Sequence, residues 1–280
     1  MEVGIFPQVF RPADLGAAFD AVAAAGIPAV QFGWDLAGLG PVPEAVPPEA
    51  AAAACRAAAA RGIRIAACSG TCNLIDPDPG RRAQAVRRLR AVIAACTALG
   101  APVVTLCSGT RDPEDMWRPH PDNGTAEAWR DLRASLDEVL PDAEAAGVDL
   151  AVEPEVSNVV DSAARARRLL DEVGSRRLRV CLDGANLFPA GTLPRMGEIL
   201  DEACALLGPD IVLAHAKDLD HDGAAGHLPA GHGRLDYDRY LGGLHGAGYG
   251  GAVVLHGLSA AQVPGCAAFL RARLAAAARP

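Results

Sequence analysis

The chain has 280 residues and a net charge of −8, from 26 Lys and Arg against 34 Asp and Glu, the opposite of the basic footprint that sequence-independent nucleic-acid binding needs. Half of it is hydrophobic and 21% is charged, which excludes a disordered chain. No run reaches the ~18 uninterrupted apolar residues of a membrane span, and the start MEVGIFPQVFRPAD has no basic segment followed by an apolar core, so the expected location is the cytoplasm.

Short apolar runs recur at 3–6, 29–32, 63–68, 103–107, 149–153, 178–183, 211–215 and 252–256, and each predicts a buried strand. Between them, Ala-, Leu- and Arg-rich stretches with helical spacing predict helices over 13–25, 48–61, 80–99, 125–146, 161–173, 194–207, 236–246 and 260–277. Start signals stand at Pro12, Pro48, Thr125 and Pro194, and stops at Gly26, Gly62, Gly100, Gly147 and Gly174. Eight strand–helix units in succession imply a parallel sheet with helical crossovers. At a length near the ~250 residues usual for a closed eight-stranded barrel, they predict an α/β chain folded as one (β/α)8 TIM barrel over 1–280. A doubly wound sheet is disfavoured because the first strand, in IFPQVFRP, leads into no GxGxxG.

The eight cysteines form no CxxC pair, so neither a disulfide framework nor a zinc ribbon is suggested. The nearest two, Cys68 and Cys72 in CSGTC, read as packed thiols. Arg81, Arg82, Arg87, Arg88 and Arg90 cluster on the third helix, and their helical spacing reads as a solvated face.

In such a barrel chemistry is carried at the carboxyl ends of the strands. Four successive strands end in metal-ligand residue types, Glu153, Asp183, His215 and His256, at separations of one strand–helix repeat. Taken singly, each has an ordinary alternative as a helix cap or a hydrogen-bonded structural histidine; their coincidence on four successive strands favours a metal site. Carboxylates with imidazoles suit Mn, Co, Fe or Zn better than Mg or Ca.

VEPEVSN (152–158), LDGANLF (182–188), HAKD (215–218), PAGHGRLDYDRY (229–240) and GYGGAVVLHGL (248–258) resemble the xylose isomerase-like TIM barrels of the sugar phosphate isomerase/epimerase superfamily. SGTCNLIDPD (69–78) and GTRDPEDMWRPHPDN (109–123) look like a particular bacterial subgroup. The resemblance implies a divalent cation held at Glu153, Asp183, His215 and the last-strand position, a ligand set that acts on sugars. In the ketose epimerases the last-strand residue is a glutamate that also serves as acid/base; here it is His256, which puts the symmetric two-glutamate proton transfer in doubt. The family's histidine three residues beyond the strand-six aspartate is replaced by Asn186, which is read as a substrate-binding group.

Around this set, Arg111, Trp117, His120 and Asn123 occupy the long segment after the fourth strand, with Trp117 as a flat apolar wall and the others as hydroxyl-binding groups, or all of them as loop packing. Glu155 and Asn158 follow Glu153 closely enough to bind substrate or to orient a ligand. Lys217 is read as neutralising an enolate, with an ion pair to Asp218 as the plainer alternative. His221, His227 and His232 fall in a Gly-rich connection, the first two as exposed loop histidines. The expected protein is a metal-dependent isomerase or epimerase of a sugar or keto-sugar, with Glu153 as general base, Lys217 and His256 as assisting groups and an enediolate intermediate. A lyase or hydrolase-type enzyme on a keto-sugar or glycoside shares that metal site. Two rivals of other classes are a silent sugar-binding barrel and a DNA-repair endonuclease, the latter opposed by the negative charge. The partner is a small molecule, with no nucleic acid and no membrane; a homo-oligomer is suggested by analogy with other barrels alone.

Overall fold

A computed structural model describes residues 1–278; the expected domain ran to 280, and its last two residues lie outside the described residues. Eight parallel strands, Glu2–Ile5, Ala29–Phe32, Arg64–Ser69, Val103–Cys107, Asp149–Glu153, Leu178–Asp183, Ile211–Asp218 and Ala252–Leu255, pair in chain order. The last pairs with both the first and the seventh, closing the sheet into a barrel. Helices Leu15–Ala24, Pro48–Ala59, Pro79–Leu99, Ala126–Ala146, Ala163–Val173, Met196–Leu207, Tyr237–Gly246 and Val263–Ala277 surround it. The chain is a single (β/α)8 TIM barrel.

Local chemistry sets the boundaries. Pro48 opens its helix, and Thr125 caps the next but one by accepting from Ala128 N. Gly147 and Gly174 end theirs with φ of 71° and 68°, which residues bearing a Cβ rarely adopt. The eighth helix starts later than expected, at Val263, because 260–262 form a single 3-10 turn with a capping box between Ser259 and Gln262. Most of the arginine cluster is spent on ion pairs, Arg81 with Asp76, Arg88 with Glu44 and Arg90 with Asp142, at the exposed rim.

Two apolar layers result. Between sheet and helices lies the main core, which includes Phe19, Phe32, Trp34, Leu89, Leu132 and Tyr240. Inside the barrel, small side chains dominate: Ala29, Ala67, Val103, Ala151, Cys181, Leu213, Ala252 and Val254. Successive residues of a strand face opposite sides, so two positions beyond these lie Gln31, Ser69, Thr105, Glu153, Asp183, His215 and His256. The apolar layer closes the lumen and the polar layer above it forms its mouth.

The seventh strand is longer than the sequence pattern indicated. It runs to Asp218 because Lys217 and Asp218 pair antiparallel with Pro229 and Leu228. His215 therefore lies within a strand, held on both sides by its register with Asp183 and Val254.

Candidate active site

A cavity of about 280 Å3 opens at this end of the barrel, lined by Gln31, Thr105, Glu153, Glu155, His215, Lys217 and His256, among others. Trp117, 52% exposed, supplies a wall. A wider depression of about 780 Å3 adjoins it at Phe6, Gln8 and His256 but contains none of the carboxylates, so the smaller cavity is where acid–base chemistry is available.

Glu153 Oε1 accepts from Asn186 Nδ2 at 2.7 Å and lies 3.3 Å from His215 Nδ1. Burial works to raise its pKa, but His215 and Lys217 outweigh it and hold the carboxyl at about 2. The other ring nitrogen, His215 Nε2, is 2.8 Å from Gln31 Oε1. Gln31 Nε2 is engaged with Ser69 Oγ and Thr105 Oγ1, so its oxygen is the acceptor and the imidazole proton belongs on Nε2. With a proton on Nε2, Nδ1 faces a carboxylate oxygen at 3.3 Å, and a proton or a metal ion fits between those two atoms.

Asp183, fully buried, accepts from Ala185 N through Oδ1, while Oδ2 lies 3.2 Å from Lys217 Nζ without a directed hydrogen bond. Lys217 thus pairs across the sheet with Asp183, not with its neighbour Asp218, whose oxygens accept from Leu219, Gly231 and Leu235 amides. Although burial opposes its charge, Asp183, Glu153 and Glu155 raise the Lys217 pKa, so it stays an ammonium. His256 stacks on Phe6 with ring centroids 4.6 Å apart and sits 5.6 Å from the His215 ring. Burial above all, then the charges of Lys217 and His215, depress its pKa to about 3, and its Nδ1 is buried with no partner.

The donor chemistry fits a divalent cation. Glu153, Cys181 and His215 bring ligand atoms within 4.8 Å of one another. Cys181 is a weak member, since burial pushes its thiol well above the usual range. Asp183 Oδ2, which faces Lys217 Nζ, and His256 Nδ1 are buried without a hydrogen-bond partner and belong to the same polar layer.

Other expected contacts have different duties. Arg111 is buried and spent on Asp131 Oδ2 at 2.7 Å and the Ile75 carbonyl. His120 caps the 3-10 turn Pro121–Gly124 by accepting from Asp122 N, and Asn123 ties that turn to Arg111 N and Ser157 O. Asn158 accepts from Gly109 N and Cys107 Sγ and donates to Glu155 Oε1, orienting Glu155 from behind. None of Arg111, His120, Asn123 and Asn158 lines the cavity. Glu155 does; burial chiefly, then the charge of Glu153, raises its pKa to about 7. Asn186 serves as a positioning group, its Oδ1 accepting from Gly226 N while its Nδ2 holds Glu153. Gln31, Ser69 and Thr105 were missed by the sequence reading; the available signal was a polar residue at the inward position of an otherwise apolar strand.

Barrel closure and the polar residues at the strands' carboxyl ends define the class, a (β/α)8 barrel with a polar cavity at its mouth. Residues 19–269 match the model of the xylose isomerase-like TIM barrel, and the chain belongs to that family. Several solved structures share the fold. A 3-keto-D-glucoside 4-epimerase from E. coli is 17% identical with a TM-score of 0.75, covering 97% of this chain and 99% of that one. A D-tagatose 3-epimerase-like protein is 16% identical with a TM-score of 0.78, covering 99% and 98%. A D-psicose 3-epimerase from Clostridium cellulolyticum, solved with D-tagatose, is 18% identical with a TM-score of 0.73, covering 98% and 99%. No curated protein matches the chain at a significant level.

Proposed function

We propose that this protein is a divalent-metal-dependent isomerase or epimerase of a sugar or keto-sugar, working through an enediolate. The observation that carries the reading is the convergence of Glu153, His215 and Lys217 on one cavity at the mouth of a barrel of this family. The similarity in fold to sugar epimerases supports the substrate class. Glu153, Asp183, His215 and His256 would hold the cation, of the Mn, Co, Fe or Zn type. When bound, the cation supplies Lewis-acid polarisation of the substrate carbonyl.

Glu153 is the general base. Its low pKa keeps it ionised at neutral pH, and Asn186 fixes the carboxylate through Oε1, leaving Oε2 to take the proton from the carbon beside the carbonyl. Lys217, cationic and lining the same cavity, lowers the cost of the negative charge that develops on oxygen. Proton return to the neighbouring carbon gives isomerisation, and return to the opposite face of the same carbon gives epimerisation. Trp117 offers a flat apolar surface for a sugar ring. The test is exchange of a carbon-bound proton with D2O, followed by NMR against sugars and keto-sugars.

A further inference from the structure

The loop that follows the seventh strand carries a second donor cluster outside the cavity. Asp220 Oδ1 lies 2.5 Å from His221 Nδ1 and 2.8 Å from His227 Nε2. The two rings stack with centroids 4.1 Å apart and a 35° tilt, which turns both toward the same oxygen. One ligand atom from each of the three residues lies within 4.8 Å of the others. We propose that Asp220, His221 and His227 form a surface site for a divalent transition-metal ion of the zinc class, independent of the barrel mouth.

The protons support this reading. His227 Nδ1 faces the Ala225 carbonyl at 3.3 Å, and a carbonyl only accepts, so in the neutral ring the proton is on Nδ1. Nε2 then faces a carboxylate oxygen 2.8 Å away, a contact that a proton or a metal ion between the two atoms satisfies. Tetrahedral metal–nitrogen and metal–oxygen bonds of about 2.0–2.2 Å place neighbouring donors about 3.3–3.6 Å apart, so the present spacings need to open by roughly half an ångström to an ångström. The side chains can give: His221 is 64% and Asp220 60% exposed. Two imidazoles with one carboxylate select a zinc-like ion over the oxygen-seeking Mg or Ca.

The backbone presents the cluster ready-made. Gly223 N donates to Phe188 O, Asp222 Oδ2 accepts from Leu193 N, and His227 N donates to Asp218 O, so the loop is pinned on both sides of the donor residues. Gly226, beside His227, holds Asn186 and through it Glu153. A cation on this loop therefore steadies the segment that positions the base.

The site is tested by calorimetric titration of the metal-free protein with Zn2+ at pH 7.5, comparing wild type with His221→Ala, His227→Ala and the isosteric Asp220→Asn. Far-UV circular dichroism checks that each variant folds, and Asp220→Asn carries the comparison if either alanine variant does not. The expected result is that each variant loses one zinc equivalent present in wild type, or binds it at least about 10-fold more weakly, while Glu153→Gln retains it. Equal stoichiometry and affinity in wild type and all folded variants would overturn the proposal. Because the readout is a difference between loop variants, it does not depend on what the barrel mouth binds.

Discussion

Gln31 Oε1 and His215 Nε2 meet at 2.8 Å across the lumen although 184 residues separate them in the chain. The contact fixes which ring nitrogen holds the proton, and so which one faces Glu153. Histidine ligands commonly have their second nitrogen engaged in this way, and loss of such a partner typically costs 10- to 100-fold in metal affinity or activity. Gln31→Leu is therefore expected to lower divalent-cation affinity and turnover by about 10-fold or more with the fold retained, measured by cation titration and steady-state assay. Unchanged values for both would remove Gln31 from the site.

His256 carries a buried Nδ1 with no partner and is held neutral, its pKa near 3. If it is a ligand, His256→Ala should weaken cation binding by about 10-fold, roughly 1.4 kcal/mol, and His256→Glu should retain the cation. Equal affinities in wild type and His256→Ala at pH 7.5 would make His256 a packing partner of Phe6 instead.

On the outside of the barrel, Glu172 accepts from Trp129 Nε1, Arg168 Nε and Arg133 Nη1 at 2.9, 2.6 and 2.7 Å. Led by the Trp129 and Arg168 hydrogen bonds, these hold its pKa at about 2, below the ~4.3 of an unfolded glutamate. Its stabilising contribution is thus complete above pH ~4.3 and is lost as pH falls through the folded value. The melting-temperature gap between wild type and Glu172→Gln should shrink as pH is lowered from about 5 to about 2. A gap independent of pH in thermal melts would show that the hydrogen bonds do not depend on the carboxylate.

The barrel was legible because its signals are local: eight apolar runs, capped helices, and glycines such as Gly147 and Gly174 where a positive φ is needed. Glu153, His215 and Lys217 were legible because strand position places them at the mouth. What the sequence hid was pairing across strands. Lys217 turns to Asp183 on the preceding strand, a choice that depends on register and not on sequence distance. Gln31 sits on an early strand in a run too short to flag one amide, yet closure brings it to His215. Arg111 and His120 occur in the expected loop, but Arg111 ties it to Asp131 on the following helix and to Ile75, and His120 caps a turn within it.

In the proposed reaction Glu153 removes a carbon-bound proton from a sugar or keto-sugar, and hydrogen exchange reads that step whatever the final product. In D2O, with Mn2+ or Co2+ supplied, wild-type protein is expected to replace one carbon-bound hydrogen next to the carbonyl of at least one member of a panel of ketoses, aldoses and keto-glycosides, seen as loss of its proton NMR signal. Glu153→Gln should slow that exchange by about 100-fold or more while keeping its fold, since a general base contributes typically 10²–10⁴. Exchange at the same rate in Glu153→Gln would remove Glu153 from the base role, and tight binding of these sugars with no exchange of any carbon-bound proton would make the protein a sugar-binding barrel instead.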